Sequence, residues 1–405
     1  MEWLKSLFST RSQRIFLDYA SATPVRKEVR EVMEKYWTKS FYNPSAIYQE
    51  GLEVKKEVEE YRSRVAKLLG VSHKDIVFTA SGTESNNLAI LGAYEAFKES
   101  QKGSRHPITK PHIIISAIEH PSVVRAAEEV VRRGGDMSIV PVNEEGLVSP
   151  EAIRLAVKHN TFLISVSMAS SEIGTVEPIA KIGRIIREER KMGKTYPLLH
   201  TDASAAYLYL QVNLESLQAD LVTLDSAKVY GPKGAGLLAV RRGVSLRPIV
   251  QGGGQERGLR SGTINPALIA GFSRAIELAA SERMEESART ERLRGYFVDK
   301  ITQEIPQAVI NGSGDSRIPN IVSVSIPGVL SEFALLKLDQ EGIMVSGGTT
   351  CSLDERESGS PVIRALGKPE LAEATLRISF GKFTTDEDVE KATEIFCRTI
   401  KNMVK

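Results

Sequence analysis

Short apolar runs alternate with long charged stretches over residues 75–241, and this alternation restricts the possible folds more than any other feature. The runs are rich in β-branched residues, and the stretches between them have helical length. Parallel strands need connections of that length, so the pattern predicts an α/β fold with a mostly parallel sheet. The predicted strands are DIVFTA (75–80), HIIISAI (112–118), MSIVPV (137–142), TFLISVSMA (161–169), YPLLHTD (196–202), ADLVTLD (219–225) and AGLLAVR (235–241).

The length of the chain favours two domains, because 405 residues exceed one comfortable core. After about residue 280 the pattern changes to a charged helix, predicted over 280–304, then PNIVSVSI, and a last helix that follows the capping signal TTDED (384–388). We predict a large α/β domain over residues 29–280. Residues 1–28 and 281–405 are predicted to form a smaller α+β domain.

Charge and cysteine content narrow the class of protein. The chain has 53 basic and 51 acidic residues, a net charge of +2 that favours neither a nucleic-acid nor a membrane partner. No apolar run approaches the length of a membrane span. Cys351 and Cys397 cannot build a disulfide framework, which agrees with a reducing cytoplasm.

Residues with chemical potential follow several predicted strands, at the sheet edge where open α/β folds bind ligands. SGTESNN (81–87) begins a helix and can bind an anion, although the same residues also suit an ordinary capped helix. His120 follows one strand, and a lone histidine there is more often structural. Asp202 needs a cationic partner, either a protonated ring nitrogen or an arginine. Lys228 is poorly suited to packing and well suited to covalent chemistry.

Two further segments stand out in the second half of the chain. GGGQERGLRSGT (252–263) is rich in glycine and carries Arg257 and Arg260, which suits a loop that contacts an anion. SGGTTCS (346–352) places Cys351 among small residues, which favours an exposed, reactive thiol. Cys397, by contrast, lies among apolar residues in EIFCRTI and is predicted to be buried and structural.

The order of these segments resembles the cysteine desulfurases, pyridoxal-phosphate (PLP) enzymes of the class-V aminotransferase group. The resemblance runs from LDYASATP (17–24) to LRISFGKFTT (376–385), through SGTESNNLAI, HTDA, KVYGPKG, GGGQERGLRSGT and VIRALG. It implies the type-I fold of PLP-dependent transferases, with a large domain on a mostly parallel sheet and a smaller α+β domain. It also implies a homodimer with active sites at the interface.

The resemblance implies a role for each matching residue at the cofactor. Lys228 would form a Schiff base with the cofactor aldehyde. Asp202 would keep the pyridine nitrogen protonated, and His120 would stack on the ring and assist proton transfer. Gly82 and Thr83 would bind the phosphate at a helix N-terminus.

Other matching residues would act on the substrate, L-cysteine. Arg377 would clamp the substrate carboxylate, and Asn43 lies in a stretch that lines the substrate entrance in the family. Thr263, which does not act on the substrate, would reach the phosphate of the cofactor bound in the partner subunit. Cys351 would attack the substrate sulfur and leave alanine and a persulfide, whose sulfur passes to an acceptor protein for iron–sulfur cluster assembly or thiolation. No metal site is implied.

Several positions depart from the family pattern, and they cluster at the cofactor. Ser170 stands where the family usually has Asn, Ala205 where it has Gln, and Tyr48 where histidine is more usual. Asp225 replaces a hydroxyl residue and Ala227 a histidine, directly before the lysine. A carboxylate about 4 Å from a phosphate oxygen costs about 4 kcal/mol at an effective dielectric constant near 20.

Three functions therefore stay open at the level of sequence. The first is a working desulfurase with altered cofactor contacts. The second is a desulfurase-like binding or scaffold protein with a degraded PLP site. The third is a selenocysteine lyase-type β-eliminase, against which Cys351 argues because simple elimination needs no thiol.

Overall fold

The computed structural model describes residues 14–105, 107–190, 195–348 and 359–404. The strands are β1 (Ile15–Phe16), β2 (Ile76–Thr79), β3 (His112–Ser116), β4 (Asp136–Val140), β5 (Thr161–Ser165), β6 (Leu198–Asp202), β7 (Leu221–Asp225), β8 (Gly236–Val240), β9 (Val309–Asn311), β10 (Ile321–Ser325), β11 (Ile343–Met344), β12 (Ser346–Gly347) and β13 (Thr375–Ser379). The helices are α1 (Lys27–Thr38), α2 (Gln49–Leu69), α3 (Gly82–Ser100), α4 (Pro121–Arg132), α5 (Pro150–Ala156), α6 (Ile179–Glu189), α7 (Leu214–Leu217), α8 (Pro266–Glu304), α9 (Ser331–Gln340), α10 (Pro361–Ala365) and α11 (Asp386–Val404). Short 3₁₀ turns cover His73–Asp75, Ser226–Lys228, Glu256–Gly258 and Pro369–Leu371.

A seven-stranded sheet with the order β2-β8-β7-β6-β5-β3-β4 forms the centre of the molecule. Strands β7, β6, β5, β3 and β4 run parallel, and β8 runs antiparallel to both of its neighbours. The five parallel strands therefore present their carboxyl ends at one edge. This arrangement confirms the predicted mostly parallel α/β sheet.

Helices cover both faces of this sheet, because most of its strands are apolar on both sides. One core contains Ile114, Ile164 and Val222 beneath α1, α2 and part of α8. The other contains Ile113, Leu163 and Leu221 beneath α3 and α4. The alternation of neighbouring residues between the two cores is the period-two pattern of a strand.

A four-stranded antiparallel sheet, β12-β13-β10-β9, packs against α8, α9 and α11 around a separate apolar core. The last helix, α11, begins with a reciprocal cap, in which the Thr385 and Asp388 side chains each accept the other's backbone N–H. The parallel pair β1 and β11 ties the beginning of the described chain to this part. Within the described residues, no helix has the length and apolar character needed to cross a bilayer.

The long charged helix differs from its prediction in length. It begins at Pro266 rather than near 280 and runs unbroken to Glu304. Its first half contributes Phe272 and Ile276 to the large core, and its second half contributes Phe297 to the smaller one. One rigid element thus belongs to both cores, and the proposed boundary at residue 280 falls inside it.

Candidate active site

Three of the predicted site residues meet at the carboxyl ends of the parallel strands. Asp202 is the last residue of β6, Lys228 ends the turn after β7, and His120 caps α4 shortly after β3. Burial lowers the pKa of His120, the charge of Asp202 opposes this shift, and that of Lys228 adds to it. The three side chains therefore share one electrostatic environment.

A hydrogen-bonded chain joins Asp202 to His120. Asn86, on α3, donates through Nδ2 to Asp202 Oδ2 at 2.7 Å and to Ser122 Oγ at 2.8 Å. Ser122 Oγ lies 2.8 Å from His120 Nδ1, which also accepts the backbone N–H of Ser122. Ser204 N–H donates to the other oxygen of Asp202 at 2.9 Å. These contacts fix the carboxylate and the imidazole relative to each other.

Two buried carboxyl groups interact near this chain: Glu119, which directly precedes His120, and Glu177, which is affected by the charge of Glu119. Glu119 accepts from Ser116 Oγ at 2.5 Å and from the Ser167 hydroxyl at 2.6 Å, and burial raises its pKa to about 7. Glu177 accepts the N–H of Val148, and burial, together with the charge of Glu119, raises its pKa to about 8. A protonated carboxyl group avoids the cost of a buried charge, so both are neutral through most of the acidic range.

The lysine is held by the segment near the beginning of the described chain. Lys228 Nζ donates to the carbonyl oxygens of Ala20 at 2.7 Å and Ser21 at 2.6 Å. Thr23 fastens this segment to the lysine turn, because its N–H donates to the carbonyl of Ala227 at 3.0 Å. Asp225 caps the same turn through the N–H of Ala227. The turn thereby aims Lys228 away from the sheet and toward residues 20–23.

The predicted anion cup at the start of α3 already holds a carboxylate. Gly82 N–H donates to Asp225 Oδ2 at 2.8 Å, and Gly82 itself is buried. Ser81 caps the helix by accepting the N–H of Glu84, as the sequence suggested. Thr83 is exposed. Asp225 therefore lies over the helix N-terminus.

The glycine-rich loop is fixed to the protein by its charged side chains. Arg257 donates to the carbonyl of Ile76, and Arg260 pairs with Glu84 at 2.9 Å. Glu256, between glycines, forms a buried bidentate pair with Arg62, at 2.7 Å for each contact. Both predicted anion-binding arginines thus contact protein groups, and neither of these contacts neutralises Asp225.

The predicted substrate residues lie in different surroundings. Arg377, on β13, is 7% exposed and donates to Asp18 Oδ1 at 2.8 Å, to Ser21 Oγ at 2.7 Å and to the carbonyl of Ser171. It is thereby brought beside the lysine through Ser21. Asn43 and Thr263 are both exposed.

Cys351 lies outside the described residues, whereas Cys397 is buried with its pKa raised to about 11 by burial, as expected of a structural thiol.

The remaining departures also have clear positions. Ser170 Oγ accepts the N–H groups of Glu172 and Ile173 and so closes a local turn. Ala205 borders a small cavity, about 20 Å³, that Lys228 also lines. Tyr48 is half exposed and packs edge-on against Tyr42.

This chain resembles known proteins over nearly its whole length. The profile of the family described as "Aminotransferase class-V" matches residues 15–392. The chain is 38% identical over 393 residues to "Cysteine desulfurase IscS" of Dictyoglomus turgidum, an alignment that covers 96% of this chain and 95% of that protein. This chain belongs to the class-V aminotransferases, among the cysteine desulfurases. "Cysteine desulfurase IscS 1" of Archaeoglobus fulgidus is 39% identical over 389 residues, or 96% of this chain and 97% of that one.

Solved structures give the same family likeness. A "NIFS-like protein" superposes with a TM-score of 0.87 at 32% identity, covering 96% of this chain and 100% of its own. A structure described as "SspA in complex with cysteine" superposes with a TM-score of 0.76 at 32% identity, over 92% of this chain and 100% of that one. The desulfurase fold predicted from the sequence motifs, type I of the PLP-dependent transferases, is therefore confirmed.

Several residues that organise the site have no role that the sequence alone indicates. Asn86 stands inside the quoted SGTESNN segment, and Asp18 and Ser21 stand inside LDYASATP. The motifs marked both segments, but contacts over 100 residues apart in the chain, such as Asn86 with Asp202, cannot be read from spacing. Glu119 was visible only as the neighbour of His120.

Proposed function

We propose that this chain is a PLP-dependent cysteine desulfurase that converts L-cysteine to L-alanine and carries the released sulfur as a persulfide on Cys351. The observation that carries the proposal is the convergence of Lys228, Asp202 and His120 at one sheet edge. Full-length relatives named cysteine desulfurases favour this reading over the scaffold and the eliminase alternatives. The similar structure of SspA in complex with cysteine supports the choice of substrate.

The residues present fit the pyridine ring of the cofactor. Asp202 would hold the ring nitrogen, and His120 would lie against the ring face. Ser204 Oγ and Asn86 Oδ1, both buried beside Asp202, have no hydrogen-bond partner among the described residues, as expected where a ligand completes the set. When bound, PLP supplies an electron sink for the substrate carbon next to the amine.

Each protein group then has a defined task. Asn86 and Ser204 orient the carboxylate of Asp202, so that it faces a cation without rotating. Lys228 Nζ, held by two carbonyl oxygens, would be the group that holds the cofactor aldehyde, and once released it would be able to move protons. Burial lowers the pKa of His120, which keeps its imidazole neutral and able to accept a proton near pH 7.

Sulfur transfer requires Cys351 and the binding of the substrate carboxylate. Arg377 would bind that carboxylate in competition with Asp18. Cys351 Sγ attacks the substrate sulfur, the carbon–sulfur bond breaks, a sulfur–sulfur bond forms, and the carbon takes a proton. Cysteine and one thiol thus become alanine and one persulfide. Asn43 would lie at the substrate entrance.

The same proposal includes the assembly and the setting of the enzyme. We expect a homodimer, a protein acceptor for the sulfur, and a cytoplasmic location. Thr263 would lie at the phosphate end of the cofactor bound in the other protomer, and its exposure leaves it accessible to a second copy. Gly82 and Thr83 would lie nearest the phosphate end of the cofactor in their own protomer.

The test is a visible absorption spectrum of the purified protein with added PLP, followed by an alanine assay with L-cysteine. We expect a band from lysine-bound cofactor that is lost in Lys228→Ala, together with at least about a thousandfold loss of alanine formation. Lys233→Ala is the matched control, because Lys233 stands in the same loop and donates to the carbonyl of Thr23. A band that survives in Lys228→Ala would refute the proposal.

A further inference from the structure

The carboxylate of Asp225 occupies the position where an anion would bind at α3. Its Oδ2 accepts the N–H of Gly82 at 2.8 Å, and its Oδ1 accepts the N–H of Ala227 at 2.8 Å. The approach is close, since a Cβ placed on Gly82 would lie 3.0 Å from Asp225 Cβ and 3.1 Å from Oδ2. Asp225 thus holds the helix N-terminus through the same backbone donor that a phosphate would use.

The N-terminus of a helix attracts negative charge through its unpaired N–H groups and its dipole. Here α3 is 19 residues long, and its first N–H is already bonded to a carboxylate. A phosphate at this helix end would have to share the donor with Asp225 or displace it. Sharing places two anions within a few ångströms, where their repulsion is strong.

The arginines of the glycine-rich loop and the residues directly after Asp225 do little to offset this repulsion. Arg260 pairs with Glu84, and Arg257 is bonded to a backbone carbonyl. Ala227 offers only its backbone N–H, which Asp225 accepts. Ser226 Oγ is buried against Gly231 and has no hydrogen-bond partner among the described residues, so it faces the protein rather than the helix end.

We propose that Asp225 is an internal anion that replaces the cofactor phosphate at the N-terminus of α3. The site then gains little from the phosphate of PLP and takes the unphosphorylated aldehyde, pyridoxal, with comparable affinity. The inference rests on the proposed function, which places the cofactor ring at Asp202 and its aldehyde at Lys228. It concerns the other end of the site, where the phosphate would lie near Gly82. It assigns Asp225 to the selection of the cofactor form, not to sulfur chemistry.

Paired titrations with PLP and with pyridoxal test this inference, with the absorption of lysine-bound aldehyde as the readout. Wild-type protein should bind the two forms within about tenfold of each other. Asp225→Asn keeps an oxygen for the N–H of Gly82 and removes the charge. It should tighten PLP binding at least about tenfold, because one like-charge contact disappears, and change pyridoxal binding less than roughly threefold.

Asp299→Asn is the matched control, because it makes the same charge change at an exposed position of α8 and should alter neither affinity. If Asp225→Asn does not fold, Asp225→Ser tests the same loss of charge. The wild-type ratio needs no variant, and a preference for PLP above about a hundredfold would overturn the inference.

The two proposals fail in different ways. If the absorption persists in Lys228→Ala, the proposed function is wrong, whatever the ratio of the two forms. If wild type binds neither form, Asp225→Asn should acquire PLP binding, and a variant that still binds neither form contradicts the inference. If both forms bind through Lys228 and the ratio does not change in Asp225→Asn, the inference is wrong and the proposed function stands.

Discussion

Two aspartates end neighbouring parallel strands and make matching contacts. Asp202 ends β6 and Asp225 ends β7. Each accepts, through Oδ1, the backbone N–H of the residue two further on, at 2.9 Å for Ser204 and 2.8 Å for Ala227. Each also accepts a hydrogen bond from α3 through Oδ2, at 2.7 and 2.8 Å. The local geometry of the two side chains is therefore nearly the same.

The difference lies in which part of α3 they meet. Asp202 meets the side chain of Asn86, one turn into the helix, and faces the place that we propose for the protonated ring nitrogen. Asp225 meets the first backbone N–H, at Gly82, where the helix itself attracts an anion. Asp202 is thus the proposed partner of the cofactor ring. Asp225 is the proposed competitor of the cofactor phosphate. A strand-end aspartate is positioned by its own backbone, and the opposing group decides its function.

The largest effect is expected where the carboxylate is a partner. Asp202→Ala removes the anion that would keep the ring nitrogen protonated, so alanine formation should fall at least about a thousandfold, or roughly 4 kcal/mol. Absorption from aldehyde bound at Lys228 should remain. Steady-state rates and spectra of the same preparation check both parts.

Asp136→Ala is the control for that experiment, because Asp136 begins β4 at the opposite end of the sheet and should leave turnover unchanged. The two aspartates are predicted to have opposite effects when their charge is removed. Asp202→Ala lowers the rate of alanine formation, whereas Asp225→Asn raises the affinity for PLP. If Asp202→Ala left turnover within about threefold of wild type, the assignment of Asp202 as the ring partner would be wrong.

An effect of intermediate size is expected on the free energy of unfolding, through the buried carboxyl group of Glu177. Burial raises the pKa of Glu177 from 4.5 to about 8, so the folded protein holds this proton more tightly than the unfolded chain does. The resulting stabilisation is complete below pH 4.5 and disappears as the pH rises through about 8. At roughly 1.4 kcal/mol per pKa unit, it amounts to a few kcal/mol of unfolding free energy.

Glu177→Gln should therefore flatten the fall in unfolding free energy between pH 4.5 and about 8. Denaturant titrations across this range measure the slope. Glu144→Gln, at an exposed position, should keep the wild-type slope. Glu119 still titrates with its pKa near 7, so part of the slope remains in the variant. An unchanged slope in Glu177→Gln would show that its carboxyl group is not protonated on folding.

The sequence predicted the strands well because buried parallel strands are continuous apolar runs between turns. It placed Asp202 and Lys228 at one edge because parallel strands bring their carboxyl ends together. It underestimated α8, because residues 266–279 are rich in small apolar residues and carry only Arg274 and Glu277 as charged residues, far fewer than the rest of the helix. It could not show that Arg260 pairs with Glu84, because that contact joins positions 176 residues apart.

The smallest effect is expected for Asn86, whose side chain orients the carboxylate of Asp202 but carries no charge of its own. Asn86→Ala removes the hydrogen bonds from Nδ2 to Asp202 and Ser122. Asp202 keeps its charge and the N–H of Ser204, so only its orientation loosens. We expect kcat for alanine formation to fall about tenfold, roughly 1.4 kcal/mol, with little change in KM.

Asn87→Ala separates this effect from simple damage to α3. Asn87 is the next residue, and its Nδ2 donates to the carbonyl of Thr83 within the helix, so its loss should leave kcat unchanged. Because Asn86 contacts Asp202 and not Asp225, Asn86→Ala should also leave the ratio of PLP to pyridoxal affinity unchanged. A change in that ratio would mean that α3 couples the two ends of the site, and that the two aspartates do not act independently.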